Sequence, residues 1–322
     1  MMQGMSRTRH GPAPAGAARA PVLARAFALL LSLWIGATPC AQAADGASGD
    51  APRKAGPIWD PAGPWREQAH WVPVEGTDRF IYMRLCRPRS EAPARLVVIS
   101  HGSPPVAASR DRYMALRCEA PAATWFLERG YAVAAPLRRG YGVTGGAFAE
   151  GNGRCGEPDF LRAAMETARD ILSAVDYARA LPGLRPDDVV LAGQSAGGWG
   201  SLGAAARNPR SVSAVVNMAG GRGGWAGNVP NSNCRPDLLV RAAGMLGRTA
   251  RIPSLWVYTD NDSFFAPPLA ADMHASFVAA GGTATFRALP AFGRDGHGLF
   301  FARDGASVWG PVVEAFLGEV LR

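Results

Sequence analysis

Five residues, Gly193-Gln194-Ser195-Ala196-Gly197, have the spacing that can make a serine hydroxyl reactive. An apolar run, Val189-Val190-Leu191-Ala192, precedes them, and an Ala/Gly-rich segment able to continue as a helix follows. In a strand, sharp turn, helix context, G-x-S-x-G forms a nucleophile elbow. The serine sits in a strained turn, and the flanking glycines let neighbouring backbone approach closely. The hydroxyl then stands above the end of a strand, where the first amides of the helix also point. A chain with 39 glycines produces such spacings by chance, so the pentapeptide alone is weak. Its weight comes from a candidate acid and a candidate histidine that follow, each after its own predicted strand.

Serine needs a neighbouring base to take its proton, and that base needs a third group to orient it. His297 lies in Gly293-Arg294-Asp295-Gly296-His297-Gly298, a loop between the last predicted strand and the last predicted helix. Such a loop can bring an imidazole over the carboxyl ends of the strands, so His297 is the expected base. His70 precedes the predicted sheet and His274 falls within a predicted helix. His101 follows the strand Leu96–Ser100 and is expected to fix its turn by hydrogen bonding rather than to carry protons. The acid should lie just beyond the strand Ser254–Thr259. Asp262, further out on the turn, is preferred to Asp260, which sits where aspartate ordinarily serves local turn bonding. Asp295 is expected to brace the histidine loop. For the oxyanion, the expected donors are the N–H of Ala196, at a helix N-terminus, and the N–H of Ser103. Pro104 and Pro105, next in line, have no N–H to offer.

These residues need a scaffold that gathers strand ends. Short, nearly all-apolar strands are expected at Arg79–Leu85, Leu96–Ser100, Tyr131–Ala135, Val189–Ala192, Ala214–Met218, Ser254–Thr259 and Thr285–Leu289. Helical periodicity is expected near Ala120–Arg129, Ala163–Ala180, Ala196–Arg207, Pro268–Ala280 and Ala306–Leu321. In the second of these, Ala168, Ile171, Leu172 and Val175 share one face. This alternation indicates one α/β domain over residues 65–322, with a mostly parallel central sheet flanked by helices. The stretch from Ala219 to Pro253 exceeds an ordinary crossover. It opens on the Gly-rich Gly220-Gly221-Arg222-Gly223-Gly224-Trp225 and offers a short helix at Asp237–Leu246, which suits a small flap but not a full cap domain.

Residues 1–43 read as an export signal. Arg7, Arg9, Arg19 and Arg25 precede the apolar stretch Ala26–Ala37, which is too short to span a bilayer, and Ala41-Gln42-Ala43 offers a cleavage site. The secreted or periplasmic product would then have no stable membrane insertion. Residues 44–64 are expected to be a flexible lead-in. The formal charge of +8 includes the four signal arginines; the rest of the basic residues are scattered among acids without a stripe or run. That pattern argues against nucleic-acid binding. Beyond Cys40 four cysteines remain, Cys86, Cys118, Cys155 and Cys234, without a C-x-x-C pair. An even number in an exported chain reads as two disulfides. Three pairings exist and the sequence does not choose; Cys86–Cys118 with Cys155–Cys234 is preferred.

The elbow at Ser195, the His101-Gly102 turn, Asp262 and the Gly296-His297-Gly298 loop together resemble the α/β-hydrolase superfamily. Within it, Pro136-Leu137-Arg138-Arg139-Gly140-Tyr141-Gly142-Val143-Thr144-Gly145-Gly146 is similar to the R-G-x-G-x-S/T-x-G segment of dienelactone-hydrolase-like and prolyl-oligopeptidase-like members. The likeness runs from about residue 75 to the C-terminus. Two departures matter: dienelactone hydrolases proper use a cysteine nucleophile, and prolyl oligopeptidases carry a large propeller for which this chain has no room. The resemblance implies a secreted serine esterase working through an acyl-enzyme, with a small or polymeric ester as substrate and no metal or organic cofactor. A peptidase or amidase with the same triad, and a non-catalytic binding protein on the same scaffold, are the alternatives. Trp199, Trp225, Phe264, Phe265, Phe300 and Phe301 stand beside the candidates and as a group favour an uncharged substrate. Arg138, Arg139 and Arg222 either receive a substrate carboxylate or pair with acids; oligomeric state is not legible.

Overall fold

The structure, a computed structural model, describes residues 53–321. The export signal expected over 1–43 lies outside the described residues. In chain order the sheet strands are β1 (Gly56–Pro57), β2 (Gln68–Pro73), β3 (Phe80–Cys86), β4 (Arg95–Ser100), β5 (Tyr131–Leu137), β6 (Val189–Gln194), β7 (Val212–Met218), β8 (Ser254–Thr259) and β9 (Ala284–Leu289). The helices are α1 (Pro121–Glu128), α2 (Phe160–Ala178), α3 (Ala196–Ala205), α4 (Pro236–Gly247), α5 (Pro267–Ala279) and α6 (Gly305–Val320).

The strands form one open sheet in the order β1-β2-β3-β5-β4-β6-β7-β8-β9. From β5 to β9 all neighbours are parallel, while β2 and β3 run antiparallel at the other end. Strands buried on both faces must be apolar throughout, and β4 shows how that is used. Leu96 and Val98 enter the core under α2, α3, α4 and α5, whereas Val97 and Ile99 face the core under α1 and α6. The sheet lies between these two cores. Strand order reverses between β4 and β6, the kind of switch point where open α/β sheets open a crevice beyond the carboxyl ends of their strands. Ser100, Gln194 and Thr259 all end their strands at that edge.

The seven expected strands and six expected helical segments are present, with ends shifted by a few residues. Two strands were not expected. His70 does not precede the sheet: it lies in the middle of β2, paired with Met83, with Nδ1 3.0 Å from Tyr177 Oη and Nε2 3.1 Å from Gln68 Oε1. The lead-in expected to be flexible is held in its described part: Gly56 and Pro57 pair with β2, and Arg53 donates to Thr144 O at 2.7 Å.

Both preferred disulfides are formed, Cys86–Cys118 and Cys155–Cys234. The first is buried within the α1/α6 core; the second ties the loop before α2 to the loop before α4. Two disulfides suit an oxidising, extracytoplasmic environment. No helix among the described residues is long and apolar enough to cross a membrane.

Candidate active site

Ser195 follows β6 and precedes α3 with φ 55° and ψ −119°, a conformation a side chain adopts only under constraint. The constraint is visible on both sides. A Cβ on Gly193 would overlap the Gly197 backbone, and one on Gly197 would overlap the carbonyl of Ser100 at the end of β4. The turn is pinned by Ser195 N donating to Met218 O (3.0 Å) and by Gly221 N donating to Ser195 O (3.2 Å). Ser195 therefore stands where three strand ends meet, and Ala196 opens α3 beside it.

The histidine loop reaches this point from the far end of the sheet. Gln194 Nε2 donates to His297 O at 2.9 Å, so the residue before the serine also anchors the residue expected as base. His297 Nδ1 lies 3.0 Å from Asp262 Oδ1 and 3.1 Å from Oδ2. Asp262, buried, also accepts from the N–H groups of Phe264 (2.8 Å) and Phe265 (2.9 Å), which fix its plane. Asp260 is exposed at the end of β8, its N–H donating to Leu289 O. Asp295 accepts from Ser263 N, Ser263 Oγ and His297 N, bracing the loop. Neither Ser195 Oγ nor His297 Nε2 has a hydrogen-bond partner among the described residues.

Phe264 stacks on the His297 imidazole with centroids 4.1 Å apart, and Trp225 stacks on Phe264 at 4.9 Å. Trp225 Nε1 donates to Ser263 O, tying the Gly-rich loop after β7 to the Asp262 turn. That loop is the flap expected from its length: Gly221 to Gly224 line a cleft of about 180 Å³ together with Ser195, Ala196, Ser103, Phe264 and Phe265. Trp199 is not part of it; it is core, its indole N–H donating to Phe160 O. Phe300 is likewise core, its ring tilted against Trp309 with centroids 5.1 Å apart, with Phe301 packed beside it.

His101 Nδ1 lies 2.6 Å from Gly102 O, and Arg138 N–H donates to its Nε2. The second bond makes Nε2 the acceptor, so the proton resides on Nδ1 and is given to the Gly102 carbonyl. Burial, reinforced by the Arg138 guanidinium, pushes the imidazole down to about 3. His101 braces the turn that presents Ser103, with no capacity left for proton transfer to the cleft.

Arg138 and Arg222 both engage Glu150, which sequence reading did not single out. Arg138, completely buried, donates Nε to Glu150 Oε2 (2.5 Å) and Nη2 to Oε1 (3.0 Å), and its Nη1 to Ser100 Oγ and His101 O. Arg222 Nη1 lies 3.3 Å from Glu150 Oε1, and its Nη2 donates to the Glu150 carbonyl. Burial alone would raise the Glu150 carboxyl; Arg138 and Arg222 outweigh it and hold the group well below the usual range. Tyr141 Oη bridges Glu150 Oε1 (2.6 Å) and Ser103 Oγ (2.8 Å), carrying the cluster to the second expected oxyanion donor. Arg139 turns away to Asp170 and Glu166. Glu150 carries no local signal, because its partners lie 12 and 72 positions away in the chain.

The sequence model of the prolyl oligopeptidase family matches residues 120–221, which holds the elbow and Glu150 but neither Asp262 nor His297. No curated protein sequence matches the chain. Among solved structures, an acylaminoacyl peptidase from Pyrococcus horikoshii superposes with a TM-score of 0.58 at 12% identity, covering 80% of this chain and 42% of that one. An esterase from Pyrococcus furiosus gives 0.55 at 13% identity, covering 84% and 99%. Est1E from Butyrivibrio proteoclasticus gives 0.50 at 18%, covering 79% and 99%. The chain thus spans about two fifths of the peptidase's length and nearly all of each of the other two.

Proposed function

Taking as premise an α/β-hydrolase fold whose family match and neighbours support a serine hydrolase of the prolyl-oligopeptidase and esterase type, we propose that this chain hydrolyses carboxylic esters through Ser195, His297 and Asp262. The observation that carries the reading is the His297–Asp262 hydrogen bond on a loop anchored to the residue next to a strained Ser195. Asp262 holds the imidazole with its proton on Nδ1 and offsets the charge that imidazole gains. His297 Nε2 takes the Ser195 proton as Oγ attacks the ester carbonyl. In free enzymes this serine–histidine bond is often long and tightens only when the acyl group is bound. The N–H groups of Ala196 and Ser103 receive the oxyanion, each such donor being worth roughly 3–4 kcal/mol in the transition state. His297 then returns its proton to the departing alcohol, and activates water to break the acyl-enzyme. An exported location accords with the two disulfides.

Ser195→Ala is expected to abolish turnover of short p-nitrophenyl esters and labelling by a fluorophosphonate probe, with the thermal unfolding midpoint unchanged within a few degrees. Turnover at the wild-type rate in that variant ends the proposal. The family match gives the amidase reading its one specific support. Matched ester and anilide substrates separate the two, since an amine leaving group depends more heavily on protonation by His297.

A further inference from the structure

We infer that the cleft beside Ser195 recognises a carboxylate: the preferred ester carries an ionised carboxyl group a few bonds from the scissile carbonyl. This rests on the hydrolase reading of the same site but is drawn from its charge.

Among the described residues lining the cleft two are arginines, Arg110 and Arg222, and none is acidic. Glu150 is shared by Arg138 and Arg222, so the buried cluster behind the cleft holds two guanidiniums against one carboxylate. Arg222 is only 6% exposed, and its Nε has no hydrogen-bond partner. A buried N–H left unpaired on a cation is costly to keep, and an anion in the adjoining cleft offsets part of that cost through the guanidinium's charge. The second cation is uncommitted. The Arg110 guanidinium makes no ion pair or hydrogen bond among the described residues; its Cζ lies over the Phe148 ring, 3.9 Å from its centroid. The Arg222 guanidinium is 5.8 Å from the same ring. Phe148, itself in the cleft wall, thus holds two cations beside the entrance to Ser195 while leaving the donors of Arg110 unpaired. Planar guanidinium donors match a carboxylate in pairs.

Two matched pairs test the inference at low ionic strength: mono-p-nitrophenyl glutarate against p-nitrophenyl pentanoate, and 4-acetoxybenzoate against phenyl acetate. The expected result is a kcat/KM ratio of about tenfold or more for the anion in at least one pair. That ratio should fall towards unity in Arg110→Gln and in high salt. Equal rates in both pairs overturn the inference, as does an Arg110→Gln variant that slows both members of a pair alike. Calorimetric titration with free glutarate reads the same charge without chemistry, and is expected to show binding to wild type that Arg110→Gln weakens severalfold. Glutarate binding without ester turnover or fluorophosphonate labelling sinks the hydrolase reading alone. Turnover of neutral esters with neither anion preference nor glutarate binding sinks this inference alone.

Discussion

On one side of Ser195, Trp225, Phe264 and His297 lie stacked, with Asp262 beneath them. On the other, Arg138, Glu150 and Arg222 are buried with Tyr141 and His101. The first side is built from the loops after β7, β8 and β9, its rings stacked on one another and Asp262 and Asp295 fixing the turns by hydrogen bonds. The second side is a buried network of hydrogen bonds in a low-dielectric interior, with only Arg222 Nε left unpaired within it. It offers rigidity to the Ser103 turn and a surplus positive charge to the cleft. Under the proposed mechanism the two sides divide the labour, with proton transfer on the aromatic side and backbone presentation on the ionic side.

The division breaks first at Asp262. Asp262→Asn keeps an oxygen for the N–H groups of Phe264 and Phe265 but favours the other imidazole tautomer, so kcat should drop roughly 10⁴-fold. Its urea midpoint should stay close to that of wild type. Should the variant instead lose several kcal/mol of stability with kcat nearly intact, the aromatic side is scaffold and the assignment of roles is reversed.

Glu150→Ala is the corresponding cut on the ionic side, and it should be read in stability first. Removing one carboxylate leaves two buried guanidiniums unpaired, a loss of about 3–5 kcal/mol. Chemical denaturation of the purified variant measures it directly. A variant as stable as wild type but slow with every ester would move Glu150 from architecture to chemistry. Tyr141 would be the route, since its hydroxyl links Glu150 to Ser103.

The same contrast explains what the amino-acid order disclosed. The elbow, the histidine loop and the turn after β8 are local arrangements, each announced by residues within a few positions of one another. Asp262 was preferred to Asp260 because aspartate so close to a strand end ordinarily serves local turn bonding, and it is Asp262 that lies against His297 in the fold. β2 was missed because Gln68 and His70 interrupt its apolar pattern and satisfy each other and Tyr177 inside the fold. Glu150 was missed because a buried acid looks like a surface acid until its cations are found. Arg138 and Arg222 were seen, but whether they met a protein acid or a substrate depended on that unseen partner. Phe148 was invisible for the same reason, being defined by cations at 110 and 222.

The smallest expected effect sharpens the ionic side by pH. His101 is buried and, with Arg138 adding to the effect, pushed down to about 3, whereas in the unfolded chain it titrates near 6.5. The folded protein therefore refuses a proton that the unfolded chain accepts. Stability from this group is complete above pH 6.5 and is lost as pH falls towards 3, by about 1.4 kcal/mol per pH unit for one such proton. His70, pushed down to about 4 by burial and Arg87, adds in the same direction over a narrower window. Glu150 enters later, because a carboxyl held low gives up its contribution only as pH falls below its unfolded value of about 4.5. Asp170, raised to about 6 by burial, takes up a proton in the folded protein between pH 7 and pH 5 and offsets about 1 kcal/mol. Urea unfolding at pH 7 and pH 5 should still differ by about 2 kcal/mol, with pH 7 the more stable, before Glu150 has titrated. The His101 ring resonances should show a neutral imidazole with its proton on Nδ1 throughout that interval. A His101 titration near pH 6.5 in the folded protein would mean that Arg138 N–H does not hold Nε2, and the brace beneath the Ser103 turn would have to be assigned elsewhere.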